Sequence, residues 1–206
     1  ILNGKNIIVM GARDERREKI PLICSLSTAI SEGKSILYFL HPFSDINKKR
    51  EILKHKFQKA SFTWYFSLRE CTDIQSFSDT VEEFPEVLLT FPHVVYSALY
   101  KNEDIHAIGD FFTVLGLIIV EDIELYSSEE ISYLFHLLAL IKEISNAPVL
   151  ITSLPSDPLK KLFAGFMRET TECIFIDLDR TINIYYWIPS FIFEGGFKHQ
   201  DLLEVC

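Results

Sequence analysis

The hydrophobic residues of this chain fall mainly into short, continuous runs rather than into alternating positions. Continuous apolar runs of strand length are typical of strands buried on both faces of a parallel sheet. The runs lie at residues 6–11, 35–40, 62–66, 87–91, 115–120 and 148–153.

Helical patterns follow these runs and carry recognisable start and stop signals. The segment from Lys19 to Glu32 has a helical pattern, with Pro21 expected in its first turn and Gly33 as its stop. Pro92 is expected to open a helix from His93 to Lys101. Strand–helix alternation of this kind predicts right-handed crossovers and a doubly wound sheet.

One further helix start is marked by a capping box, with Ser127 at the N-cap and Glu130 three residues later. Tyr126 and Ile131 are placed as its hydrophobic staple. Ile131 also begins an apolar stripe at helical spacing, which continues with Leu134, Phe135, Leu138 and Ile141.

The end of the chain has a different pattern. Residues 172–177 and 182–187 flank the short segment 178–181, which predicts an antiparallel hairpin. Residues 69–83 are weakly patterned and are expected to form an insertion or surface excursion. The predicted fold is one α/β domain over residues 1–206, with a mostly parallel sheet and an antiparallel C-terminal hairpin.

Composition and charge narrow the functional classes. The chain has 206 residues, a formal charge of −9 and 48% hydrophobic residues, including 17 Phe. An acidic domain is not drawn to DNA or anionic lipid by its overall field. Four scattered cysteines are expected to be reduced thiols in an intracellular protein. No apolar run approaches the ~20 residues that span a bilayer, and the high apolar content suggests a covering partner.

The first candidate site follows the first predicted strand. Phosphate-binding loops carry G-x-x-x-x-G-K-[ST] at this point, and here Gly11 fits but no Lys-Ser/Thr pair follows. Asp14, Glu15 and Glu18 would repel phosphate. Lys19 is either a displaced remnant of the motif or a solvated lysine at the helix start. The missing motif predicts a pseudo-ATPase without a cofactor.

The second candidate site follows the strands at 115–120 and 148–153. Four aliphatic residues are followed by Glu121 and Asp122, with Glu124 two positions later, and this is a Walker B pattern. In a Walker B site the acid holds the Mg²⁺ shell or positions the attacking water. Thr152 and Ser153 fit either a γ-phosphate sensor or polar caps at a strand end.

A basic cluster contains Lys48, Lys49, Arg50 and Lys54. It fits either a solvated outer helix face or a contact with a phosphate backbone. The dispersed histidines give no nucleophile–base arrangement.

Taken together, these landmarks resemble the RecA-like core, and in particular the recombinase paralogues that assist the eukaryotic strand-exchange protein. The resemblance covers residues 6–187 and is best over 115–154. It implies a non-catalytic subunit that pairs with another RecA-like protein in homologous recombination and DNA repair in the nucleus, contacting DNA weakly or indirectly.

Two other groups share the fold. The segments 88–92, 120–124 and 151–154 resemble the threonine–proline, acidic and Ser-Ala-Thr motifs in the first domain of superfamily-2 helicases. A P-loop-less subunit of the Elongator tRNA-modification complex is the other alternative.

A partner interface is predicted beside the vestigial nucleotide site. In RecA-like assemblies a neighbouring protomer packs across that site, and Leu125, Tyr126 and Ile131 lie near it in the sequence. The alternative is that these residues are only a staple and part of the core.

Overall fold

A computed structural model describes residues 6–12, 15–60, 67–101, 105–156, 158–159, 161 and 173–177. The strands are β1 (Asn6–Met10), β2 (Ser35–Phe39), β3 (Leu68–Cys71), β4 (Val87–Thr90), β5 (Leu115–Val120), β6 (Val149–Ser153) and β7 (Cys173–Asp177). The helices are α1 (Glu15–Glu32), α2 (Ile46–Ala60), α3 (Phe77–Glu82), α4 (Pro92–Lys101), α5 (Ile105–Thr113) and α6 (Ser128–Ile144), with a 3-10 turn at Ile123–Leu125.

The seven described strands form one sheet in the order β3-β4-β2-β5-β6-β1-β7. Every pairing among them is parallel. Strands β1, β2, β4, β5 and β6 are buried along their whole length, as continuous apolar runs predict. The predicted mostly parallel α/β sheet is therefore confirmed.

The predicted C-terminal hairpin is described only in part. Its first strand is β7, which pairs in parallel with β1 from Asn6↔Cys173 to Met10↔Asp177. The second predicted strand, 182–187, and the strand predicted at 62–66 lie outside the described residues. The single-domain boundary of 1–206 stays a prediction.

The strand order determines where a site can form. β5, β6 and β1 are neighbours, and all three run in the same direction. Their carboxyl ends therefore meet at one edge of the sheet, which is the edge where open α/β sheets bind ligands. We call this side of the molecule the carboxyl edge.

Two sequence predictions were wrong in detail. α1 begins at Glu15, so Pro21 lies inside the helix and not in its first turn. The segment 69–83 is not an insertion, because it contains most of β3 and all of α3, and Phe77 and Val81 are fully buried. Such short elements contain too few apolar residues to show a period.

The predicted start of α6 is confirmed. The Ser127 hydroxyl accepts a hydrogen bond from the Glu130 N–H at 3.3 Å, and the Glu130 carboxylate accepts one from the Ser127 N–H at 2.7 Å. The Ser127 backbone N–H, and after it the Ser127 side chain, hold the pKa of Glu130 below its usual value. The predicted stripe from Ile131 to Ile141 is buried.

We expect Ser127→Ala to destabilise the protein by about 1 kcal/mol, because a helix N–H loses its cap. The neighbouring Ser128→Ala, which removes no cap, is the matched control.

A carboxylate with a lowered pKa stabilises the fold above its unfolded-state pKa, so the contribution of Glu130 should fade as the pH falls below about 4. Urea unfolding at neutral and acid pH measures both effects, and equal losses in the two serine variants would contradict the capping role.

Candidate functional site

The ends of β1, β5 and β6 are tied together by backbone groups. The Gly11 N–H donates to the Ser153 carbonyl at 3.1 Å, and the Asp122 N–H donates to the Thr152 hydroxyl at 2.9 Å. The Ser153 hydroxyl donates to the Leu154 carbonyl at 2.8 Å. Thr152 and Ser153 are buried and serve as polar caps at a strand end, which was one of the two roles predicted for them.

Arg17, in the first turn of α1, is the central charged residue of this edge. Its side chain is only 1% exposed. One terminal nitrogen, Nη2, lies 2.6 Å from Asp122 Oδ1 and 2.5 Å from Glu124 Oε1. The other, Nη1, donates to the Gly11 carbonyl at 3.0 Å. Arg17 therefore connects the loop after β1 to two of the three acids that follow β5.

Asp122 adopts a backbone conformation that suits this pairing. Its φ of 50° and ψ of 51° are in the left-handed region, which aspartate visits more readily than most residues. The turn begins the 3-10 segment, and the Leu125 N–H donates to the Asp122 carbonyl at 2.9 Å. The strained turn is thus held by Thr152 on one side and Arg17 on the other.

Glu121 is paired with a different cation. Its Oε1 accepts a short hydrogen bond from the Tyr38 hydroxyl and lies 2.6 Å from Lys49 Nζ. Lys49 Nζ is also 5.4 Å from the centre of the Tyr38 ring. Burial, followed by the nearby Glu121 charge, raises the pKa of Tyr38 well above its ordinary value. Tyr38 is therefore a neutral donor to Glu121.

A cavity of about 370 Å³ opens beside these pairs, between α1 and α2. The charged residues that line it are three cations and four carboxylates, namely Arg17, Lys48, Lys49, Glu18, Asp45, Glu121 and Asp122. The described part of the chain holds no cluster of three metal-binding side chains. The cavity is thus charge-mixed, with the acids in slight excess, which is a poor environment for a polyphosphate.

The structure brings most of the predicted nucleotide-site residues together. Gly11, Glu121, Asp122, Thr152 and Ser153 all lie at the carboxyl edge, as predicted from the ends of their strands. Lys19 is half-buried on α1. It is not one of the described residues that line the cavity.

Sequence reasoning missed Arg17, although a simple count would have found it. In G-x-x-x-x-G-K-[ST], counted from Gly11, Arg16 stands at the second glycine, Arg17 at the lysine and Glu18 at the hydroxyl residue. The cationic position of the motif is therefore retained, but its charge is directed at Asp122 and Glu124.

The three predicted interface residues lie in different environments. Tyr126 and Ile131 are buried, as their alternative assignment to a staple and core requires. Burial also raises the pKa of Tyr126 above its ordinary value. Leu125 is 42% exposed at the carboxyl edge. Whether a partner packs here stays a prediction, and only Leu125 of the three is at the surface to meet one.

The predicted basic cluster is partly neutralised within the chain. Lys49 is paired with Glu121, and Arg50 Nη1 lies 2.7 Å from Glu70 Oε1. Lys48 and Lys54 are exposed on α2. The four residues therefore do not form one continuous set of cations facing solvent.

Searches against protein-family models and against curated protein sequences found no match. Among solved structures, DUF1998 helicase MrfA bound to DNA aligns with 84% of this chain at a TM-score of 0.66 and 15% identity. A second structure of DUF1998 helicase MrfA aligns with the same share of this chain at a TM-score of 0.66 and 14% identity. A hypothetical ATP-dependent RNA helicase from Sulfolobus tokodaii covers the same share at 0.54 and 12%. The chain spans only 25% of DNA-bound MrfA and 49% of the RNA helicase.

These neighbours establish a RecA-like α/β fold of the kind found in helicase domains. The resemblance to recombinase paralogues was therefore wrong, and the role in homologous recombination and the nuclear location that followed from it have no support. The recombinase prediction failed because strand ends and helix caps are shared by the whole RecA-like class. The helicase-like alternative agrees better with the solved structures, and the Elongator alternative stays a prediction. No helix in the described ranges is long and apolar enough to cross a bilayer.

We expect Arg17→Met to destabilise the protein by about 3 kcal/mol, because two partly buried carboxylates lose their shared cation. Arg69→Met is the matched control, since it breaks an exposed pair with Glu83 and should change stability by less than about 1 kcal/mol. Urea unfolding of both variants makes the comparison. Equal losses would show that the Arg17 pairs contribute no more than a surface ion pair.

Proposed function

We propose that this chain is a degenerate helicase-type RecA-like domain that neither binds ATP tightly nor hydrolyses it. The observation that carries this proposal is the buried guanidinium of Arg17, which stands at the lysine position of the phosphate-binding motif and whose two terminal nitrogens already have partners in the chain. In a working site that position supplies positive charge to a phosphate. Here the same charge is already shared by Asp122 and Glu124.

The other positions of the motif support the same proposal. Arg16 replaces the glycine that lets backbone N–H groups close around a phosphate. Glu18 replaces the hydroxyl residue that holds Mg²⁺ and adds a carboxylate to the cavity. Lys49 Nζ pairs with Glu121, an acid of the Walker B pattern that would serve a metal ion in an active site. Nucleotide binding would require several of these ion pairs to break together.

The structural neighbours are much longer than this chain. DNA-bound MrfA is about four times as long as the aligned part, so a domain of this kind is one part of a larger protein there. We propose that the present domain contributes binding surface and not chemistry to its own assembly. The earlier suggestion that its partner is another RecA-like subunit remains a proposal.

We expect thermal melts in millimolar Mg-ATP to match melts in Mg²⁺ alone, with no release of phosphate from ATP. A ligand present at 100 times its Kd would add about 2.7 kcal/mol of stability, which such melts detect readily. An increase in Tm that needs ATP and disappears in Arg17→Met would overturn the proposal. An increase shared with Arg17→Met would place nucleotide elsewhere on the protein.

We also expect the isolated domain to bind duplex DNA only weakly, with a Kd above about 1 µM in physiological salt. The net charge of −9 opposes binding, and Lys49 and Arg50 are already paired. Fluorescence anisotropy across a salt series measures this, with Lys48→Ala/Lys54→Ala as the test variant. Each lost phosphate contact should lower the salt slope by about 0.9, whereas nanomolar binding by the unmodified domain would contradict the charge argument.

A further inference from the structure

Phe43 is the most exposed large hydrophobic residue among those described, at 93%. It is nevertheless held in place. The Ser44 N–H donates to the His41 carbonyl at 2.8 Å and closes a turn, and the Phe43 N–H donates to His41 Nδ1 at 3.2 Å. The buried His41 ring packs 4.7 Å from the ring of Tyr126, edge to face. The core therefore anchors a turn whose tip presents an aromatic ring to solvent.

Two further exposed aliphatic residues lie at the same edge. Leu125 follows β5 and Leu154 follows β6, each 42% exposed, while Phe43 follows β2. The Glu124 carboxylate connects the two leucine segments, since it accepts a hydrogen bond from the Leu154 N–H at 3.2 Å and also pairs with Arg17. We call Phe43, Leu125 and Leu154 the apolar triad.

The three strands that precede the triad residues are neighbours in the sheet. β2 and β6 flank β5 in the sheet, and neighbouring strands lie about 4.8 Å apart. The three strand ends therefore span about 10 Å, close to the 10–12 Å diameter of an α-helix with its side chains. One apolar face of a helix is enough to cover them.

The loops that carry the triad are strongly acidic. The segments 40–45, 121–130 and 154–156 contain six Asp and Glu residues and no Lys or Arg. Arg17 and Lys49 engage three of the six, which leaves Asp45, Glu129 and Glu130 as carboxylates at the rim. Asp45 and Glu130 also cap helices, since each carboxylate accepts a hydrogen bond from a backbone N–H near a helix start.

We propose that the apolar triad docks an amphipathic helix of a partner protein that carries Lys or Arg beside its apolar face. The triad supplies the hydrophobic contact and the acidic loops select the charge of the partner. This inference goes beyond the lost nucleotide chemistry and does not depend on it, because the triad residues take no part in the Arg17 or Lys49 pairs.

The test uses two synthetic helical peptides of equal length, one built from Leu and Lys and the other from Leu and Glu. Fluorescence anisotropy with the full chain should show saturable binding of the Leu/Lys peptide and at least about tenfold weaker binding of the Leu/Glu peptide. The variant Phe43→Ser/Leu125→Ser/Leu154→Ser should bind the Leu/Lys peptide at least about tenfold more weakly than the unmodified chain.

Ile144→Ser is the matched control. Ile144 is 47% exposed and lies at the C-terminal end of α6, whereas the carboxyl edge and the triad lie near the N-terminal end of that helix. It should bind the Leu/Lys peptide like the unmodified chain. Circular dichroism checks that the triple variant is folded, and Phe43→Ser alone replaces it if it is not.

Three results would overturn the proposal. One is equal binding of the Leu/Lys peptide by the triple variant and the unmodified chain. Another is equal binding of the two peptides. The third is concentration-dependent dimerisation of the unmodified chain in analytical ultracentrifugation that is lost in the triple variant, because the occupant would then be a second copy of this chain. None of these results affects the thermal melts with Mg-ATP, which test the proposed function separately.

Discussion

A guanidinium that is removed from water must have negative partners, and this requirement organises the carboxyl edge. Arg17 is almost fully buried, so its charge is tolerated only because Asp122, Glu124 and the Gly11 carbonyl surround it. Meeting that requirement fixes the first turn of α1 against the loop after β1 and the turn after β5. The left-handed conformation of Asp122 is part of the same arrangement.

The same pairs account for the charges at this RecA-like edge. In a working site the acids after β5 face a metal ion and the motif lysine faces phosphate. In this chain cations from α1 and α2 neutralise those acids directly, through Arg17 and Lys49. Each of the three acids that follow β5 therefore has a cation of the chain as its partner.

The carboxyl edge also exposes apolar side chains, and the sheet determines which of them are buried and which are exposed. Tyr126 and Ile131 point into the core and support the turn and helix around them. Phe43, Leu125 and Leu154 lie outside that core at three neighbouring strand ends. Exposed apolar side chains on ordered segments, surrounded by carboxylates, are the feature of this edge that an interior role does not explain.

The sequence by itself determined the features that depend on near neighbours. Continuous apolar runs located the buried strands, and Ser127 and Glu130 located the start of α6, because strand burial and helix capping leave local patterns. Only the tertiary structure decided how the charges pair, since Arg17 meets Asp122 across 105 residues of sequence. It also decided which apolar residues stay exposed, because burial depends on neighbours that are distant in the chain. For this reason Leu125 is exposed and Tyr126 is buried, although the two residues are adjacent in the sequence.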